Sequence, residues 1–104
     1  METPLTKNII KGIPVDIQVY EKSGGYQGLR KALLKKPEEV TSLVQESGLK
    51  GRGGAGFNTG QKWSFVPMGD DAPKEKYLIA NADEMEPGTF KDRLLLEGDP
   101  HQLI

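Results

Sequence analysis

The chain has 104 residues, with 14 basic and 15 acidic side chains, a net charge of −1 and no cysteine. That length suits one ordinary domain or a part of a larger one. Its balanced, mixed-sign charge gives no electrostatic footprint for nucleic acid or a membrane surface. Without cysteine there is no disulfide, no thiolate-held iron–sulfur cluster and no cysteine nucleophile within these residues. No run approaches the ~18 apolar residues of a membrane span, and Met1–Leu5 lacks the basic-then-apolar plan of a secretory signal. The expectation is a cytoplasmic protein without direct membrane insertion. The excess residue is glycine, 13 of 104, well above an ordinary share of about 7%.

Residues 1–23 read as an extended lead-in segment, and residues 24–104 as the domain proper. Within the lead-in, Val15, Ile17 and Val19 alternate as a strand would, while Asp16 also suits the cap of a helical turn through Tyr20. Both readings stand at this point. From Tyr26, Leu29, Leu33 and Leu34 recur at helical spacing and Arg30, Lys31, Lys35 and Lys36 face away, predicting a helix that begins at Gly24–Gly25 and stops at Pro37. Pro37 opens a second helix, with Glu38 and Glu39 in its positive first turn and Gly48 as its C-terminal cap. A short helix follows the glycine cluster, capped by Asn58 or Thr59 and anchored by Trp63, Phe65 and Val66. Tyr77-Leu78-Ile79-Ala80 is a buried-strand signal, Pro87-Gly88 a turn and Lys91–Leu96 helical. Asp99-Pro100 is a cap and first position of a helix with no room to run. That, with a single strand, leads to the expectation of a fragment of a larger α/β domain.

Gly51-Arg52-Gly53-Gly54-Ala55-Gly56-Phe57-Asn58-Thr59-Gly60 is the most informative stretch. Glycines let the backbone take positive φ and approach a ligand closely, and successive N–H groups can form an anion-binding nest. Arg52 and Lys62 bracket it with positive charge. The stretch fits a Gly-x-Gly-x-x-Gly dinucleotide fingerprint by letter, but it leaves a helix rather than a strand. It fails the Walker A pattern, because Gln61 follows Gly60 and Ala55 stands at the first glycine. A flexible surface turn is the competing reading. The second cluster is Asn81-Ala82-Asp83-Glu84-Met85-Glu86, at the carboxyl end of the expected strand, where open α/β sheets bind ligands. Its carboxylates depart from calcium-loop spacing, and a solvated acidic loop is the plainer alternative. Together the clusters suit a ligand with phosphate, hydroxyls and a heteroaromatic edge. Phe57 is placed to stack on a planar ring, whereas Trp63 and the single His101 read as structural. No catalytic side chain and no metal-ligand set can be assembled.

Gly48 through Phe65 and Tyr77 through Arg93 resemble the flavin-binding F subunit of bacterial NADH:quinone oxidoreductase, respiratory complex I. Related subunits occur in NAD-linked hydrogenases and formate dehydrogenases. The resemblance implies the helix-rich N-terminal part of a Rossmann-like α/β domain that binds FMN and NADH. It implies FMN contacts from Gly51, Gly53, Lys62, Asn81, Asp83 and Glu84. Gly54, Ala55, Phe57, Phe65 and Glu86 would line the dinucleotide side, with Arg52 and Gly56 completing the loop. Hydride would pass from NADH to FMN and electrons onward to quinone, with a [4Fe-4S] cluster only in a later part of the subunit. The implied partners are the adjacent small and large iron–sulfur subunits, on the cytoplasmic side of the inner membrane. Asn58 stands where the family often has proline, a change expected to loosen the loop entrance, and Ala80 where it often has cysteine. The alternative function is a non-catalytic nucleotide-binding or interaction module that uses the same glycine loop.

Overall fold

The computed structural model describes residues 1–104. The chain forms α1 (Ile17–Lys22), α2 (Gln27–Ala32), α3 (Pro37–Glu46), α4 (Thr59–Ser64), α5 (Lys91–Gly98) and a 3₁₀ turn, Pro100–Gln102. There is no strand, only two isolated antiparallel bridges, Ile10 with Ile13 and Lys50 with Asn58. Two compact units divide it: Met1–Gly28 with Ile79–Ile104, and Leu29–Leu78.

The first unit is organised around the end of α5. Val15, its one buried apolar residue, donates its N–H to the Gly98 carbonyl at 2.9 Å. A Cβ on Gly98 would stand 2.9 Å from Ile9, so glycine is what lets the N-terminal segment lie this close. Next to it Asp99 is only 2% exposed. Its Oδ2 accepts from Gln102 at 2.8 Å and from Asn8 at 3.4 Å, while Oδ1 has no partner. Asp16 caps α1 by accepting the Val19 N–H at 2.9 Å. The helical alternative therefore holds for residues 17–22, and residues 1–23 are not extended throughout. A local side-chain cap forms with no outside partner, whereas a strand needs one.

Tyr26 has φ +61, a conformation that costs a bulky residue roughly 1–2 kcal/mol. Two contacts hold it there: a 2.9 Å hydrogen bond between its hydroxyl and His101 Nδ1, and an edge-on contact with Tyr20 at 5.0 Å. Tyr20 stacks on His101 at 5.6 Å. Gly25 lies against the Tyr20 ring, leaving no room for a Cβ. This residue also sets the start of α2 just after it, later than Gly24–Gly25 suggested. The helix starts at Gln27 and ends at Ala32, and tightened turns carry Leu33 and Leu34 into solvent.

In the second unit, the termini of α3 follow the local chemistry read from the sequence. Pro37 is its first residue, the Glu39 carboxylate accepts the Lys36 N–H at 2.8 Å, and Gly48 takes φ +72 just past its end. α3 packs on α4 through Gly60, the buried residue of that helix. A Cβ there would overlap the Gln45 backbone, at 2.5 Å from its Cα. Trp63, Phe65 and Val66 do not act as buried anchors. Trp63 is 48% exposed, and with Met68, Pro37 and Thr41 the three side an open groove of about 580 Å3. α4 packs chiefly on α3, and its Trp63 face stays half exposed.

The expected buried strand is not formed within these residues. Tyr77, Leu78 and Ile79 are 83%, 99% and 84% exposed, and their backbone is in no ladder. A strand exists through its partner's hydrogen bonds, and no other segment of these residues runs beside it. The architecture described is helical, and the α/β expectation has no sheet here to support it.

Candidate functional site

The glycine loop is closed at its base. Gly51 N–H donates to the Phe57 carbonyl at 2.8 Å, and Thr59 N–H to the Leu49 carbonyl at 2.9 Å. Asn58 ties this base down from two directions. Its Oδ1 accepts the Gln61 N–H at 2.9 Å as the α4 cap, and its Nδ2 donates to the Gln45 carbonyl at 3.2 Å. Asn58 therefore tightens the loop's entrance, contrary to the expectation that it would loosen it, because its amide supplies both a donor and an acceptor that proline lacks.

Between the clamps, the N–H groups of Arg52 to Gly56 have no intramolecular acceptor. Gly54 and Gly56 take φ +86 and +58, so successive amides can converge on an anion. A Cβ on Gly53, Gly54 or Gly56 would meet nothing within 4 Å. Arg52 and Lys62 are exposed and neither sits in an ion pair. Phe57 and Phe65 lie 6.0 Å apart, tilted at 56°. The structure thus gathers Gly51, Arg52, Gly53, Gly54, Ala55, Gly56, Phe57, Lys62 and Phe65 on one unit.

Asn81, Asp83, Glu84 and Glu86 gather on the other. Asn81 Oδ1 accepts the Asp83 N–H at 3.0 Å, a turn closed by a side chain. The Glu86 carbonyl accepts the Thr89 N–H at 3.2 Å, with Gly88 at φ +78 completing the turn. Asn81, Asp83 and Glu86 are exposed. Glu84 differs: its side chain is 12% exposed and stands 3.9 Å from Lys91 Nζ. Lys91 also donates to Asp92 at 2.7 Å. That hydrogen bond, with the charges of Asp92, Glu84 and Glu86, raises the Lys91 pKa above its ordinary 10.5. Behind Asn81 lies a cavity of about 240 Å3, walled by Ala80, Ala82, Leu95, Leu96 and the buried Asp99. Gly60 and Asp92 are supporting residues that motif reading missed, and the Asn58 bond to Gln45 adds a second role to its expected cap. The glycine just after a predicted cap, and the helix start at Lys91 shortly past an acidic run, are the signals that could have found them.

Residues 44–104 match the Nuo51 FMN-binding domain, more than half of the chain. The chain belongs to that family. It is 63% identical over 89 residues to the NADH-quinone oxidoreductase F 2 subunit of Rhizobium meliloti (strain 1021), covering 85% of this chain and 21% of that protein. The corresponding F subunit of Streptomyces coelicolor is 57% identical over 88 residues, 85% of this chain and 19% of its own length. That of Escherichia coli (strain K12) is 54% identical over 92 residues, 88% of this chain and 20% of its own. The chain spans about a fifth of the length of these curated relatives.

Proposed function

We propose that the glycine loop and the acidic loop each supply contacts to FMN or NADH in an NADH:quinone oxidoreductase F-type subunit. The observation that carries the reading is the pinned glycine loop, with its unclaimed N–H groups and three glycines that face open space. Gly54 and Gly56 are explained by positive φ, but Gly53 has neither that nor a close neighbour. Close approach of a ligand is the remaining physical reason for glycine there.

In this reading the loop amides, Arg52 and Lys62 neutralise phosphate, and Gly51 and Gly53 let the flavin lie against the backbone. Phe57 and Phe65, with Gly54 and Ala55, form the adenine side. Asn81 and Asp83 hold hydroxyls or ring edges from the acidic loop, and Glu86 borders the dinucleotide. FMN, when bound, supplies the hydride-accepting chemistry. The chain's own part is to position, to stack and to set the local charge, with no side chain needed as acid or base. In the full-length subunit, Tyr77–Ala80 pairs as a buried strand of a Rossmann-like sheet, and electrons leave through a [4Fe-4S] cluster held elsewhere. The small and large iron–sulfur subunits are the neighbours, on the cytoplasmic face of the membrane.

The test is flavin retention by the full-length subunit that carries this sequence. The expected result is one FMN per subunit, bleached by NADH, with retention lost on Gly53→Val. A subunit that bound ATP and ignored FMN would make the non-catalytic module the better reading.

A further inference from the structure

We propose that Glu84 is a positioning residue, whose carboxylate acts on the flavin site through the acidic loop and not by touching the ligand. This rests on the reading above that the acidic loop supplies contacts to FMN or NADH. The Glu84 Oε2 accepts the Asp92 N–H at 2.8 Å. Asp92 is the second residue of α5, and early helical N–H groups have no acceptor within the helix. The residue in the capping position is Phe90, which has no oxygen to offer and makes no side-chain cap bond. Glu84 therefore does the capping from across the turn, and its charge also suits the helix's positive end.

Among the acidic loop's four candidate residues, Glu84 alone is screened from solvent, and its carboxylate is already committed. Asn81, Asp83 and Glu86 stay exposed. The bond closes a ring of backbone from Glu84 to Asp92 that contains the Glu86–Thr89 turn. It fixes where Asp83 and Glu86 stand relative to α5. Besides it, only the longer Glu84–Lys91 ion pair at 3.9 Å ties Glu84 to the start of α5.

The distinction is chemical. A glutamine oxygen can accept the same N–H without charge, whereas alanine can do neither. The experiment measures FMN dissociation constants and flavin midpoint potentials for the full-length subunit and its variants. Glu84→Ala is expected to weaken FMN binding about tenfold or more, and Glu84→Gln to restore it to within about threefold, with the potential unmoved. Asp92→Pro removes the donor in the helix's first turn, where the N–H has no intrahelical acceptor to lose; it is expected to reproduce the alanine loss with Glu84 intact, and it decides the matter if Glu84→Ala does not fold. Equal losses in Glu84→Gln and Glu84→Ala, or a shifted potential in Glu84→Gln, would mean that the charge acts on the flavin directly. Full FMN affinity in Glu84→Ala would also overturn the proposal. Failure of the unsubstituted subunit to bind FMN would instead overturn the functional reading on which it rests.

Discussion

The glycine loop and the acidic loop are held in opposite ways. The first is closed at its base mainly by backbone hydrogen bonds, with Asn58 as its one side-chain tie, and seated on a helix contact that admits no side chain at Gly60. The second has one backbone turn bond, Thr89 on Glu86, and otherwise keeps its form through side chains: Asn81 on Asp83, and Glu84 on the first turn of α5. A loop whose frame is backbone can leave its own side chains free for a ligand. A loop whose frame is side chains has already used some of the polar groups that its sequence advertises. The two regions should therefore respond differently to substitution.

The largest effect is expected at Gly60. Gly60→Val drives a branched side chain into the Gln45 backbone, and overpacking here is expected to cost about 3 kcal/mol, the upper end of its usual range. Denaturant unfolding followed by α3 and α4 amide protection measures it, and a near-neutral result would show that the helix contact is not what seats the loop. Asn58→Ala comes next, with a loss of about 1–2 kcal/mol from one cap and one further hydrogen bond. Hydrogen exchange at Gly51 and Thr59 should quicken in that variant while the Asp83 amide is unchanged. If both loops loosen together, their frames are not independent.

In the other unit, Tyr26→Phe removes the hydroxyl from His101 and is expected to cost about 1 kcal/mol, read from the unfolding midpoint. The smallest effect concerns Lys91. Its folded pKa is raised, so the stability it lends is complete below the ordinary value of 10.5 and is lost as pH rises through the folded value. A pH titration of its side-chain signals should show that upward displacement, which shrinks in Glu84→Gln.

What the amino-acid order discloses is chiefly local chemistry. Asp16, Pro37, Asn58 and Gly48 stop or start helices through groups close to themselves in the chain, and each is found at a helix end. The motif resemblance is equally local, and the family match covers both motifs. Longer-range features are not readable in the same way. Whether Tyr77–Ala80 is a strand depends on a neighbour that these residues do not include. Leu33 and Leu34 keep a helical rhythm after the backbone has left the helix. Glu84 looks like one more free carboxylate, because the N–H that claims it lies across a turn. For the same reason Asn58 reads as a loosening substitution, since nothing nearby in sequence points to Gln45.

The closed base of the glycine loop has a further consequence for how quickly and tightly an anion can be held. Immobilising a residue's backbone costs about 1–2 kcal/mol, and glycine loses the most. Ten freely moving residues would charge that sum to the association step. Here the bridge between Lys50 and Asn58 has already restrained the ends as part of folding. Only the short arc from Arg52 to Gly56 still has freedom to surrender, so the entropy opposing capture is roughly halved.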